Sequence, residues 1–123
     1  MSTHLFPFHP EREIVSSRVI NVSKSILFSY FSDPNKLKKW WGPAGFSNTF
    51  HLFEFKEGGI WDFVMHGPEK GNCKNTCEFI KIDSQNLIAW KRHTQPYFSV
   101  EFSFESKEEH STELLFRMIF DSV

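Results

Sequence analysis

The stretch Tyr97-Phe98-Ser99-Val100-Glu101-Phe102-Ser103-Phe104-Glu105 decides the fold class. Phe98, Val100, Phe102 and Phe104 alternate with Tyr97, Ser99, Glu101 and Ser103. A strand sends successive side chains to opposite faces, so this period of two predicts a strand with one apolar and one wet face. Ile60–His66 repeats the pattern, with Trp61, Phe63 and Met65 set against Asp62 and Val64. Working outward, the spacing predicts further strands over Asn48–Lys56, Asn72–Ile82, Leu87–Thr94 and Thr112–Phe120, and a first one over Glu11–Ile20. Connections are short. Lys56-Glu57-Gly58-Gly59 offers the backbone freedom of a tight hairpin, while Asp83-Ser84-Gln85-Asn86 and Lys107-Glu108-Glu109-His110 are polar turns, so the strands follow one another as an antiparallel meander.

Only Ser23 to Trp41 departs from that period. Ser23 is a good N-cap for a helix from Lys24 to about Ser32, whose Ile26, Leu27, Tyr30 and Phe31 form one apolar stripe at helical spacing. Asp33-Pro34 stops this helix and starts another, because proline is tolerated in a first helical turn. Leu37, Trp40 and Trp41 share a face of the second helix, and Gly42-Pro43-Ala44-Gly45 is a turn-rich exit. The expected order is one strand, two short helices and six strands. Two short helices are too small to cover the whole apolar face of seven strands, so something is held inside or supplied from outside.

Fifteen Phe and four Trp among 123 residues are an unusual aromatic load, which either packs a very aromatic core or lines a cavity with rings. The length suits one domain: an extended leader over 1–10, which holds two prolines, and a single domain over 11–123. With 14 basic and 15 acidic residues the net charge is −1, so no long-range field draws polyanions and nucleic acid is disfavoured as a partner. Lys36, Lys38 and Lys39 read as a solvated helix face. No apolar run approaches the roughly 20 residues of a membrane span and Met1–Pro10 has no secretory pattern, which makes a cytoplasmic location the expectation. Cys73 and Cys77 lie on one face of a strand, too far apart for a disulfide within it, and are expected as free thiols. Their spacing with His66 or His93 matches no familiar zinc arrangement, so no metal or other cofactor is expected.

The segment Phe31-Ser32-Asp33-Pro34-Asn35-Lys36-Leu37-Lys38-Lys39-Trp40-Trp41-Gly42-Pro43, continuing to Gly45-Phe46, resembles the family of the C-terminal domain of the activator of heat-shock protein 90 ATPase. Phe53-Glu54-Phe55-Lys56 with Gly58-Gly59, Trp61 and Phe63, Met65-His66-Gly67-Pro68 and Phe116-Arg117-Met118-Ile119-Phe120 add to the resemblance, which runs from about Glu11 to the last residue. It implies an α+β helix-grip fold of the Bet v 1-like, START-like (SRPBCC) superfamily, in which a curved seven-stranded antiparallel sheet grips a long C-terminal helix around a cavity. Members of that superfamily bind lipids, sterols, polyketides and other apolar small molecules, and a minority are cyclases or hydrolases. The long helix is expected to be absent from this chain. Baring several hundred Å² of apolar sheet costs on the order of 10 kcal/mol, so a partner copy in a homodimer, a bound ligand or residues lost by truncation are expected to cover it.

Trp40 and Trp41 are expected at the cavity mouth, with plain core packing as the alternative. Phe46, Phe53, Trp61, Phe63 and Met65 from the first half of the chain, and Trp90, Phe98, Val100, Phe102, Phe116 and Met118 from the second, are candidates for its lining, again with core as the alternative. Alternation places His51 with Phe53 and Phe55, which makes it the favoured polar contact to a ligand. Glu54, Arg92 and Arg117 are further polar groups among apolar strand positions. The chain contains no Gly-rich phosphate loop, Gly-x-Ser-x-Gly elbow or His-Glu-x-x-His helix, so no catalytic residue is assigned. Binding of an apolar small molecule, lipid-like or aromatic, is the leading expectation. The alternatives are an enzyme acting on such a ligand with His51, Asp62 or His66 as acid or base, and a protein-interaction or stress-response module like a co-chaperone.

Overall fold

A computed structural model describes residues 10–41, 45–67 and 71–121. The expected leader, Pro10 apart, lies outside the described residues, as do positions 42–44 of the loop after the helices. A single 3-10 turn, Pro10–Arg12, leads into β1 (Glu13–Ile20), then α1 (Lys24–Ser32), α2 (Pro34–Trp40), β2 (Ser47–Phe53), β3 (Ile60–His66), β4 (Asn72–Asp83), β5 (Leu87–Arg92), β6 (Phe98–Glu108) and β7 (Ser111–Phe120). All neighbouring strands pair antiparallel in the order β1-β7-β6-β5-β4-β3-β2. The meander thus brings β7 back beside β1, and the two helices join the edge strands β1 and β2.

One face of the sheet is built from rings. Trp90 is paired with Val100, Ile88 with Phe102, and Phe102 with Phe116, so inward residues of adjacent strands stand in rows across the sheet. The helices lie on this face. Phe28 meets Phe104 edge-on at 5.4 Å and Phe31 meets Phe102 at 4.7 Å between ring centroids. The buried face of α1 is Leu27, Phe28 and Phe31, whereas Ile26 and Tyr30 of the expected stripe are exposed. The difference is a rotation of the helix by about one residue, driven by the ring of Phe28 finding Phe55 and Phe104.

Capping fixes both helices. The Ser23 hydroxyl accepts from the Ile26 N–H, and the Asp33 carboxylate accepts from the Asn35 N–H at 2.9 Å, with Pro34 at the first position of α2. Asp33 also ends α1, its own N–H donating to the Ser29 carbonyl. In the β2–β3 hairpin, Gly58 has φ +80°, and Gly59 sits so near the Glu54 backbone that a Cβ would fall 2.1 Å from the Glu54 carbonyl oxygen.

Two expectations are corrected. β2 carries a bulge: Phe50 is paired with Phe63 but Leu52 with Asp62, which leaves His51 as the extra, exposed residue. Phe50 and Phe53 both pack on the core, so His51 does not share a face with Phe53. The face opposite the rings is not simply wet either. Arg117 and Glu101 are fully buried there and Ser99 and Ser103 nearly so. Arg117 donates from Nε to Glu13 Oε2 at 2.6 Å, from Nη2 to Glu13 Oε1 at 3.2 Å and from Nη1 to Glu101 Oε2 at 3.1 Å. Cross-strand pairing of Glu101 with Arg117, and of Arg117 with Val15 on β1, places these charges side by side. Two carboxylates on one guanidinium fork satisfy groups that would be costly to bury alone.

Candidate functional site

Where α2 ends, the chain turns its aromatic residues onto the sheet. The Trp41 N–H donates to the Leu37 carbonyl, and the Asn48 side-chain amide of β2 donates to the Trp41 carbonyl at 2.8 Å and the Lys38 carbonyl at 3.1 Å. These bonds clamp the α2 terminus to an edge strand. The Trp41 ring reaches inward to Trp61 at 5.7 Å and Trp90 at 5.4 Å, while Trp40 packs edge-on to Phe31 and donates its indole N–H to the Tyr30 carbonyl. Trp40 stays 40% exposed, at the rim.

Below this pair the sheet and α2 enclose a cavity of about 520 Å³ that opens to solvent. Phe63 and Met65 of β3, Trp90 of β5, Phe98 of β6 and Met118 of β7 provide its apolar wall. Three polar or polarizable groups interrupt that wall: Asn75 and Cys77 of β4, and Arg92 at the end of β5. Cys77 and Arg92 are directly paired across the strands. Burial pushes the Cys77 thiol up to about 12, the nearby Arg92 charge opposing that shift and Asp62 adding to it, so the thiol is neutral at physiological pH. Asn75 is 5% exposed and donates from Nδ2 to the Cys73 carbonyl at 3.0 Å. The volume lies within the range of small-molecule sites, about 300–1,000 Å³, and a mostly apolar wall with a few placed polar groups is their usual chemistry.

The sequence of this chain matches the family described as Activator of Hsp90 ATPase homolog 1-like protein over residues 21–122. The chain belongs to that family. No curated protein matches it by sequence. Among solved structures it is similar to a crystal structure of a Nitrosomonas europaea protein, at 17% identity over 95% of this chain and 80% of that one, with a TM-score of 0.83. A solution structure of an Arthrobacter aurescens protein matches at 21% identity over 89% and 69% of the two chains, TM-score 0.82. The crystal structure of an HSP90 activator from Plasmodium falciparum matches at 18% identity over 88% and 72%, TM-score 0.65. Identities this low establish the shared fold, the Bet v 1-like helix-grip architecture of an open seven-stranded antiparallel sheet and two helices, which is common to ligand-binding and co-chaperone-like modules of the family in general.

Within that fold, the residues singled out in the sequence separate into groups. Trp40, Trp41, Phe63, Met65, Trp90, Phe98 and Met118 line the cavity. Trp61, Val100 and Phe102 are buried in the continuous core beside it, and Phe53 and Phe116 pack against that core. Phe46 is half-buried with its ring next to Gly67, beyond the cavity wall. His51 is on the outside of the bulge. His66 bonds through Nε2 with Thr49 Oγ1 and through Nδ1 with Asn72 Oδ1, both at 2.8 Å, and Asp62 alternates away from Trp61 and Phe63. None of His51, Asp62 and His66 lines the cavity. Glu54 accepts from the Ile60 N–H and braces the hairpin. Among the described residues no three His, Cys, Asp or Glu gather as a metal site, and no described helix is long and apolar enough to cross a membrane.

Asn75 escaped the sequence reading altogether. Its signal was positional: Cys73, Asn75, Cys77 and Phe79 share one face of β4, and an amide in such a row must find a partner or a cavity.

Proposed function

We propose that this chain holds an apolar small molecule, lipid-like or aromatic, in the cavity between the α2 terminus and β3–β7. The observation that carries the reading is the cavity of about 520 Å³ walled by Trp41, Phe63, Trp90 and Phe98, with Asn75, Cys77 and Arg92 among the described residues to orient a ligand. Burial of apolar area supplies the affinity, at about 25 cal/mol per Å², and the polar groups select among ligands. Acid or base catalysis by His51, Asp62 or His66 gains no support from their positions away from the cavity wall. Native mass spectrometry of freshly purified protein tests the reading. Discrete ligand adducts, or adducts formed on adding dodecan-1-ol or dodecanoate, are the expected result; a bare chain that takes up neither overturns it.

A second reading rests on family membership and on the similarity to the Plasmodium falciparum HSP90 activator: a co-chaperone-like contact with that chaperone. Stimulation of a purified Hsp90 ATPase by this chain is the measurement that separates it from the first.

A further inference from the structure

The charge on the cavity wall is one-sided. Among the described lining residues Arg92 carries the only charged side chain; no described Asp, Glu, Lys or His accompanies it. Its Nε–H donates to Thr94 Oγ1 at 2.8 Å, and the guanidinium lies over the Phe98 ring, 5.3 Å from the centroid. Those two contacts fix the side chain but use only one of its five N–H donors. Among the described residues no carboxylate comes within 4.0 Å and no acceptor takes an Nη hydrogen. The contrast with Arg117 on the opposite face, which holds two carboxylates, is direct. Asn75, in the same wall, ties one Nδ2 hydrogen to the Cys73 carbonyl, and the second meets no acceptor among the described residues.

A half-buried guanidinium in a ring-lined wall gains most from an anion, and its planar fork matches a carboxylate at two points. Apolar wall and single cation together define an amphiphile. We propose that the ligand of this cavity is an amphiphilic carboxylic acid, its apolar body against Trp41, Phe63 and Trp90 and its carboxylate on the Nη edge of Arg92, with the second Asn75 Nδ2 hydrogen as a further donor. This rests on the reading of the cavity as a ligand site.

The test compares dodecanoate with dodecan-1-ol, below their aggregation limits at pH 8, by quenching of tryptophan fluorescence in the wild-type chain and in Arg92→Met and Arg92→Lys. The expected result is a dissociation constant at least tenfold lower for the acid, a ratio near one in Arg92→Met and an intermediate ratio in Arg92→Lys, with thermal melting confirming that each variant folds. Equal binding of acid and alcohol by the wild-type chain overturns the carboxylate proposal alone and needs no variant. A preference that survives in Arg92→Met does the same. Failure of both probes to bind removes the ligand-site reading and this proposal with it.

Discussion

Cys77 shows how a single side chain reports the character of the cavity wall. Its thiol is neutral because burial raises the folded-state value from 9.0 to about 12. A folded value above the unfolded one means that the native state holds the proton more tightly between those limits, so the contribution to stability is complete below pH 9 and is lost as pH rises toward 12. The slope is roughly 1.4 kcal/mol per pH unit for one group. Urea midpoints measured from pH 8 to 11 in wild type and Cys77→Val should therefore diverge, the wild type losing stability more steeply; parallel curves would remove the buried-thiol account. The sequence carried the face of Cys77, because alternation sets it, but not its depth, which depends on how Trp90 and Arg92 pack over it from β5. Arg117 is the same lesson in reverse. Its strand position was legible, yet its burial with Glu13 and Glu101 follows from a pairing between β1 and β7 separated by about a hundred residues, which no local pattern encodes.

At the scale of elements, the strands and both helices could be read because each carries a local signal: period two, an N-cap serine, and Asp33 and Pro34 between the helices. What the local signal could not carry was the β2 bulge. An alternation rule assigns faces by counting, and one inserted residue reverses the count for everything beyond it. Asn48 and Phe50 face inward before the bulge and Phe53 after it, which is why alternation alone puts His51 on the wrong side. Replacing His51 and deleting it should then both leave the rings of Phe50 and Phe53 on the core. His51→Ala is a surface change and is expected within about 0.5 kcal/mol of wild type in chemical denaturation. Deletion of His51 leaves Phe50 and Phe53 two residues apart, so regular alternation keeps both rings inward with Phe50 on Phe63, Leu52 on Asp62 and Phe53 on Trp61, and the variant is expected to keep the ring core. A deletion that costs about 1.5–3 kcal/mol, the burial of one ring, would mean that the bulge and not the strand pairing holds Phe50 and Phe53 on the core.

For the whole molecule, the governing fact is a mismatch of sizes: a seven-stranded sheet whose inner face is rings, against two helices of nine and seven residues. The sequence revealed that mismatch, since strand count and helix length are both local readings. It did not reveal how the mismatch resolves. In the structure the helices seat over Phe102 and Phe104, the indoles of Trp41, Trp61 and Trp90 close against one another, and the remaining space gathers between α2 and the ends of β3, β4 and β5. Space of that kind is a free-energy reserve, because rings that face a void or water gain contacts when an apolar body enters. A ligand that binds only the folded chain must then stabilise it by mass action, by about 2.7 kcal/mol when the free ligand stands at a hundred times its dissociation constant. Dodecan-1-ol, which makes no demand on Arg92, is expected to raise the thermal midpoint by several degrees in this way. Met65→Trp, which places an indole in the same space, is expected to abolish the increment. A midpoint that ignores the alcohol in wild type, or that rises equally in Met65→Trp, would locate any binding away from this cavity, because the stabilisation can come only from the contacts that the ligand makes where it sits.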